Sequence, residues 1–177
     1  MKKILLAAVV ALASFTAKAQ VWIGGNVGFG VAKVSEVDVT RFSILPEIGY
    51  KLNDNWDLAI KIGDEYTKVK HEDSANAFVV NPYARYTFYK TGKVGFFLDM
   101  GFGIKTGDFY DSDFGKAYAD ETAWNVSIAP GVKFDASDKV SFVATVGALG
   151  YKACDDDHVF GLNVNGNNLQ FGCIYNF

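Results

Sequence analysis

The most constraining feature of this sequence is the alternation of its last nine residues. An apolar or aromatic side chain stands at every second position, and the chain ends on such a residue. Because successive side chains of a strand point to opposite faces, this period of two predicts a strand with one apolar face. The row consists of Leu169, Phe171, Cys173, Tyr175 and Phe177. We therefore expect the chain to end in a strand whose apolar row lies against an extended apolar environment.

The first nineteen residues have the pattern of a secretory signal peptide. Lys2 and Lys3 precede an apolar run over residues 4–15, and Ala17-Lys18-Ala19 provides a small-x-small cleavage site. The apolar run is too short to span a membrane as a helix. We expect residues 1–19 to be removed and residues 20–177 to form one barrel domain.

The charge of the mature chain excludes one class of partner. Without the three lysines of the leader, 14 basic residues remain beside 20 acidic ones, a net charge of −6. A nucleic-acid partner requires a basic face that displaces counterions from phosphates, so none is expected.

The alternation continues through the mature chain and divides it into eight strands. Short polar turns are expected near residues 53, 91 and 136, and longer polar segments near 34–40, 64–76, 106–121 and 149–167. Short turns at one end and long loops at the other are typical of a transmembrane barrel. The predicted fold is therefore all-β, an eight-stranded antiparallel up-and-down transmembrane β-barrel. Outward aromatic residues near the strand ends fit its two girdles: Trp56, Tyr86, Phe88, Trp124, Phe134 and Tyr175.

The three prolines of the chain lie in one repeated pattern. Pro46, Pro82 and Pro130 each precede an apolar residue by two positions and an aromatic residue by four, shortly before a turn. Since proline has no N–H to donate to a strand ladder, the pattern predicts a bulge in each of these strands.

With these features the chain resembles the small Gram-negative outer-membrane β-barrel family, that is, the porin-family barrel domain with the architecture of OmpX and the OmpA membrane domain. The alternating C-terminal strand, the repeated hairpins and the stretch Gly147-Ala148-Leu149-Gly150-Tyr151 carry the resemblance, which covers residues 20–177. It implies a monomer in the outer membrane with both termini in the periplasm. It also implies contact with outer-membrane lipid and lipopolysaccharide, and recognition of the C-terminal strand by the barrel-assembly machinery.

The inward face of the same strands carries charges of both signs. Because unpaired buried charges are costly, we expect them to pair inside a barrel too narrow for much besides its own side chains. Two interpretations stay open, a closed polar plug and a narrow path that weakly favours anions. The predicted lumen charge network consists of Glu47, Lys51, Asp57, Lys61, Arg85, Asp99, Lys105 and Lys133.

The sequence predicts no enzyme and no cofactor. Its two histidines, His71 and His158, fall in predicted loops and form no recognisable catalytic arrangement. The acidic run Asp155–Asp157 offers carboxylates to a cation but lacks the regular spacing of a calcium loop, so no metal is predicted. Cys154 is expected as a free surface thiol and Cys173 as an apolar lipid-facing residue, too far apart to form a disulfide.

Two functions lead among those open to such a barrel. The first is a structural and surface-interaction role, in which extracellular loops contact lipopolysaccharide or an external partner. The loop residues expected to do so include Asp108, Tyr110, Asp111 and Asp113. The alternative is a narrow porin-like channel for ions or small solutes, and closure of the lumen by ion pairs discriminates between the two. A lipid-modifying enzyme would need His71 or His158 beside a Ser at the membrane rim, and a soluble lipocalin-like barrel would have apolar residues inside and polar ones outside.

Overall fold

The computed structural model describes residues 20–34, 37–69, 74–111, 114–163 and 169–177. Within these ranges the regular structure consists of antiparallel β-strands. The described part of the chain contains no helix long and apolar enough to cross a membrane. The strands are β1 (Val21–Val34), β2 (Val37–Lys51), β3 (Trp56–Val69), β4 (Ala75–Thr91), β5 (Val94–Asp111), β6 (Lys116–Asp135), β7 (Val140–Thr145), β8 (Ala148–Cys154), β9 (Asp157–Asn163) and β10 (Gln170–Asn176).

These strands close into a barrel with eight positions around its circumference. Strands β1 to β6 pair in sequence order, and β6 pairs with β7 through residues 131–135 and with β8 through residues 123–128. β7 and β8 are therefore two parts of one barrel strand, interrupted at Val146 and Gly147. β9 pairs with β8, while β10 pairs with β7 and with β1 and so closes the ring. The predicted eight-stranded antiparallel barrel is confirmed.

The two faces of the strands differ as the alternation requires. On β3, Leu58 and Ile62 are exposed whereas Lys61 is buried, and on β10 Phe171 and Tyr175 are exposed whereas Ile174 is buried. Large apolar side chains thus line the outside of the barrel, and most buried polar groups lie inside it. This distribution of apolar and polar side chains is the inverse of that in a soluble protein, and it suits a barrel with lipid outside.

The two ends of the barrel are built differently. At the turn end, named for its short connections, the Asn53 side chain accepts hydrogen bonds from the backbone N–H groups of Asn55 and Trp56 at 2.9 and 3.0 Å. Such an Asx-type turn replaces backbone hydrogen bonds that the ending strands leave unmade. The opposite end, here the hairpin end, carries the long connections.

At the hairpin end the prediction of long loops is wrong for most of their length. β3 continues to Val69, β5 continues to Asp111 and β6 begins at Lys116. The segment predicted as a loop over 149–167 contains β8 and β9. The first six strands accordingly have 14 to 20 residues, more than the ~9–11 that a membrane crossing needs. Polar composition signalled that these segments leave the membrane, but paired hairpins tolerate polar residues equally well.

The predicted bulges at the prolines are also wrong. The register between β2 and β3 is the same on both sides of Pro46, and that between β3 and β4 is unshifted at Pro82. Opposite Pro130, the extra residue belongs to the neighbouring strand, at the interruption between β7 and β8. A missing ladder donor costs one hydrogen bond but does not by itself insert a residue.

Candidate functional site in the barrel lumen

A buried ion pair joins β4 and β5 on the inner face of the barrel wall. Arg85 and Asp99 are direct partners in the strand register, so their side chains meet on the inner face. The guanidinium Nε donates to Asp99 Oδ1 at 2.7 Å and Nη2 donates to Oδ2 at 2.8 Å. Arg85 is only 1% exposed. A bidentate, charge-assisted pair of this kind fixes both side chains in one orientation.

Three neighbours extend this pair into a layer across the lumen. The Tyr83 hydroxyl donates to Glu47 Oε2 at 2.7 Å. Lys61 Nζ lies 4.0 Å from Asp99 Oδ2 and 4.6 Å from the centre of the Tyr83 ring. We call Glu47, Lys61, Tyr83, Arg85 and Asp99 the ionic layer; all five are buried.

Apolar side chains fill the lumen beside the ionic layer. Trp22, Phe97, Val143 and Ile174 form a buried cluster with Tyr83, and the Arg85 guanidinium lies 4.1 Å from the centre of the Phe97 ring. Aromatic packing against a cation stabilises the guanidinium where water is excluded. The buried side chains of the ionic layer and of this cluster together fill the turn-end half of the lumen.

A chamber of about 650 Å³ lies on the hairpin side of the ionic layer. Its wall contains small residues such as Gly101 and Ala129, together with the polar side chains of Asn81 and Asn125. Because small side chains stand at these inward positions, the barrel retains space here that larger residues occupy in the turn-end half. Lys61 and Asp99 of the ionic layer form part of its floor.

Ion pairs surround the chamber towards the hairpin end. Lys105 Nζ donates to Glu65 Oε1 at 2.6 Å, and Arg41 Nε lies 3.4 Å from the same oxygen. Farther out, Lys152 Nζ donates to both oxygens of Asp111 at 3.0 and 3.2 Å. These pairs neutralise the carboxylates that line the chamber wall.

A second buried cluster lies at the hairpin end of the barrel. It consists of Ala77, Phe109, Tyr118, Ala123 and Cys154, with the Phe109 and Tyr118 rings stacked at 5.3 Å. We call it the hairpin-end cluster.

Hydrogen bonds tie the β8–β9 hairpin to the tip of the β5–β6 hairpin. The Tyr118 hydroxyl donates to Asp157 Oδ2 at 2.6 Å, and Lys116 Nζ donates to the same atom at 3.0 Å. These two bonds, the Tyr118 bond first, hold the pKa of Asp157 below its ordinary value. The hydrogen bond that Lys116 donates to Asp157 raises the pKa of Lys116.

Comparison with known proteins gives the context for this lumen. The outer membrane protein beta-barrel domain family matches residues 4–177 of the chain. The chain belongs to this outer-membrane β-barrel family. No protein among the curated sequences matches it.

Two solved barrels have the same fold. The N-terminal β-barrel domain of Pseudomonas aeruginosa OprF has 17% identity and a TM-score of 0.52, covering 90% of this chain and 100% of that one. Neisserial surface protein A (NspA) has 18% identity and a TM-score of 0.57, covering 89% of this chain and 97% of that one. At this identity the likeness concerns architecture alone.

In this outer-membrane barrel, the eight predicted lumen residues fall into two groups. Glu47, Lys61, Arg85 and Asp99 come together in the ionic layer. The other four are partly buried: Lys105 faces the chamber, and near the turn end lie Lys51, Asp57 and Lys133.

The sequence analysis missed the lumen residues of the extended strands. Arg41 and Glu65 have the same inward parity as the predicted residues of β2 and β3, but they lie beyond or near the expected ends of those strands. Asp111 and Lys152 were assigned to loops, yet Asp111 is 1% exposed. Arg41 and Glu65 can be predicted as lumen residues if the inward parity of β2 and β3 is extended beyond their apolar rows.

The predicted C-terminal row lies on the outside of the barrel. Phe171, Cys173, Tyr175 and Phe177 are exposed, and Leu169 is half-buried. The rings of Tyr175 and Phe177 contact each other at 5.4 Å. On the turn side the row thus ends in two adjacent aromatic rings, as a membrane-interface girdle requires.

An aromatic row lies on the outer face of the barrel towards the hairpin end. Across four neighbouring strands, Phe102 lies 6.4 Å from Trp124, Trp124 lies 5.3 Å from Tyr151, and Tyr151 lies 6.3 Å from His158. Of these four residues, the sequence predicts only Trp124 as a girdle residue. Rings with a polar edge are favoured in the headgroup region of a membrane, and the row has this composition.

The two cysteines of the chain differ in burial, with Cys173 exposed and Cys154 buried. Both cysteines are free, but Cys154 is buried in the hairpin-end cluster, so its prediction as a surface thiol is wrong. His158 stacks on Tyr151, while His71 and Asp113 lie outside the described residues, as does the expected signal peptide. Among the residues that the structure describes, His, Cys, Asp and Glu side chains form no cluster able to hold a metal ion.

Proposed function

We propose that this outer-membrane barrel is a structural and surface-interaction protein that acts through its extracellular hairpins and without catalysis. The observation that carries the proposal is the packing of buried side chains across the lumen. The ionic layer and the cluster around Trp22 and Phe97 fill its turn-end half with buried side chains. A barrel closed in this way has its chemistry available on the surface, where the hairpins extend beyond the aromatic row.

The exposed charges on two of the hairpin tips support a partner with a basic face. Apart from Lys116, the exposed ionic side chains on the β5–β6 and β8–β9 tips are acidic: Asp108, Asp120, Glu121, Asp155 and Asp156. A negative surface favours a partner with a basic face and disfavours direct contact with lipopolysaccharide phosphates. We therefore place lipopolysaccharide against the outward aromatic row and an external basic partner on the hairpin tips.

Assembly and orientation are part of the same proposal. Outward Phe171, Tyr175 and Phe177 support recognition of the C-terminal strand by the assembly machinery, with the barrel functioning as a monomer. An even number of strands directs both termini to the periplasm when the hairpins face outward.

Cysteine labelling on intact cells tests this arrangement. In a Cys154→Ala/Cys173→Ala background, a membrane-impermeant maleimide should label Asp156→Cys on intact cells. It should label Ala136→Cys, in a short turn of the opposite end, only after the outer membrane is permeabilised. The reverse labelling pattern would contradict an external role for the hairpins.

One observation favours the channel as a second candidate. The chamber has charged and polar side chains on its wall and a volume of about 650 Å³, so the turn-end half of the lumen is the part that would have to open for solutes to pass. Electrical measurements on inserted protein separate this candidate from the closed barrel, as described at the end of the Discussion.

A further inference from the structure

Lys61 is the least satisfied charged group at the floor of the chamber. Its ammonium carries three donors, yet it forms no hydrogen bond of 3.5 Å or less with another described residue. Its contacts are the Asp99 oxygen at 4.0 Å and the face of the Tyr83 ring at 4.6 Å. Lys61 is nevertheless 92% buried and lines the chamber.

Neither of the two carboxylates near Lys61 accepts a hydrogen bond from it. Both oxygens of Asp99 receive hydrogen bonds from Arg85. Glu47, the cross-strand partner of Lys61, accepts the Tyr83 hydroxyl through Oε2 and forms no ion pair with Lys61 within 4.0 Å in the described structure. Its Oε1 has no hydrogen-bond partner and lies beside Gly24 of β1. Lys61 therefore has donors to offer to a group inside the chamber.

The charges around the chamber sum to a net positive charge, which also favours a bound anion. The chamber and the ionic layer together contain one more basic side chain than acidic ones. The basic residues are Arg41, Lys61, Arg85, Lys105 and Lys152, and the acidic residues are Glu47, Glu65, Asp99 and Asp111. One negative charge placed beside Lys61 would balance the enclosed set, and a bound cation would unbalance it further.

Neutral polar side chains on the chamber wall determine which other groups of the bound anion are recognised. Asn81, Asn125, Ser127, Thr145 and Gln170 line the chamber and offer amide and hydroxyl groups. Such groups hydrogen-bond to hydroxyls of a solute as both donors and acceptors. The volume of about 650 Å³ lies within the range of sites for small molecules.

The wall at β9 leaves open space on the hairpin side of the ionic layer. Gly161 lines the chamber, is exposed, and has no neighbouring atom within 4 Å of the position that a Cβ would occupy. A solute bound in the chamber therefore has room beside β9.

From this arrangement we propose that the chamber is a binding site for a small hydroxylated organic anion, with Lys61 binding the carboxylate and the amide side chains binding the hydroxyls. The site is compatible with an occluded lumen because it lies entirely on the hairpin side of the ionic layer. It is independent of any partner on the hairpin tips.

Calorimetric titration of the refolded mature barrel in detergent tests the proposal, with D-gluconate as the anionic probe and D-glucose as the neutral one. Gluconate should bind saturably and more tightly than glucose. Replacement Lys61→Met should weaken gluconate binding about tenfold or more, because a hydrogen bond to a charged group is lost. Lys133→Met, which removes the same charge near the turn end, should leave binding unchanged.

A second variant keeps the test decisive if Lys61→Met does not fold. Ala129→Leu retains every charge but projects three additional carbon atoms into the chamber, and it should abolish gluconate binding. Folding of each variant is checked by heat-modifiable gel migration. The proposal is overturned if folded wild-type barrel binds no gluconate, if glucose binds equally well, or if both chamber variants bind gluconate with wild-type affinity.

Discussion

Replacing Asp99 by asparagine provides a quantitative test of the ionic layer. The change keeps the size of the side chain and removes its charge, which leaves the guanidinium of Arg85 buried without its bidentate partner. Breaking a buried ion pair on one side typically costs about 3–5 kcal/mol. We expect about 3 kcal/mol, the lower end of that range, because the asparagine oxygen still accepts one hydrogen bond and the Phe97 ring still packs on the guanidinium at 4.1 Å.

The assay is equilibrium urea unfolding of the barrel in phospholipid vesicles, followed by tryptophan fluorescence and by gel migration. Asp135→Asn serves as the matched control, since the Asp135 side chain is 47% exposed and lies 3.4 Å from Lys133. Asp135 Oδ1 also accepts a hydrogen bond from the Ser141 hydroxyl at 2.7 Å, and the asparagine oxygen can still accept that bond. An ion pair whose carboxylate is open to solvent contributes less than about 1 kcal/mol. The double variant Arg85→Met/Asp99→Asn should be more stable than Asp99→Asn alone, because it no longer buries an unpaired guanidinium. If Asp99→Asn costs no more than Asp135→Asn, the pair does not hold the lumen together.

Three further outcomes follow from the packing and the surface contacts. Gly49→Ala should destabilise the barrel by about 1–3 kcal/mol in the same urea assay, because the added Cβ would overlap the buried Trp22 ring. Ile62→Arg, on the outer face midway along β3, should cost about 2–4 kcal/mol in vesicles, and a smaller cost would place this face outside the bilayer. Because the Tyr118 hydrogen bond lowers the pKa of Asp157 in the folded protein, that contact is present above the unfolded pKa and is lost as the pH falls through the lowered value. Hydrogen exchange at β8 and β9 should therefore accelerate in acid, and Asp157→Asn should remove this pH dependence.

Much of the barrel was predictable from the sequence because a strand has a simple period. The apolar rows of β3, β5 and β10 keep their phase throughout, and their side chains are on the outside as that phase requires. The parity of Glu47, Lys61, Arg85 and Asp99 placed these residues inside. Their assembly into one layer required the strand register, which no single strand specifies.

The remaining features depend on contacts between distant segments. The hairpin-end extensions contain many charged and polar residues and only short apolar rows, so the sequence alone could not distinguish paired strands from loops. Cys154 is buried because Phe109 and Tyr118 pack around the same space, which depends on the pairing of β5, β6 and β8. The chamber arises from small inward residues on several strands, and its volume is a property of the closed barrel.

The most direct test of the closed barrel is single-channel recording of the refolded mature protein in a planar bilayer. Insertion is verified in parallel by heat-modifiable migration of the same preparation, so that silence is not confused with failure to insert. We predict that the inserted wild-type barrel carries no steady ionic current, because the ionic layer and the packed aromatic residues occlude its lumen. A steady, ion-selective current that Arg85→Ala alters would contradict this account and identify the lumen as a conducting path.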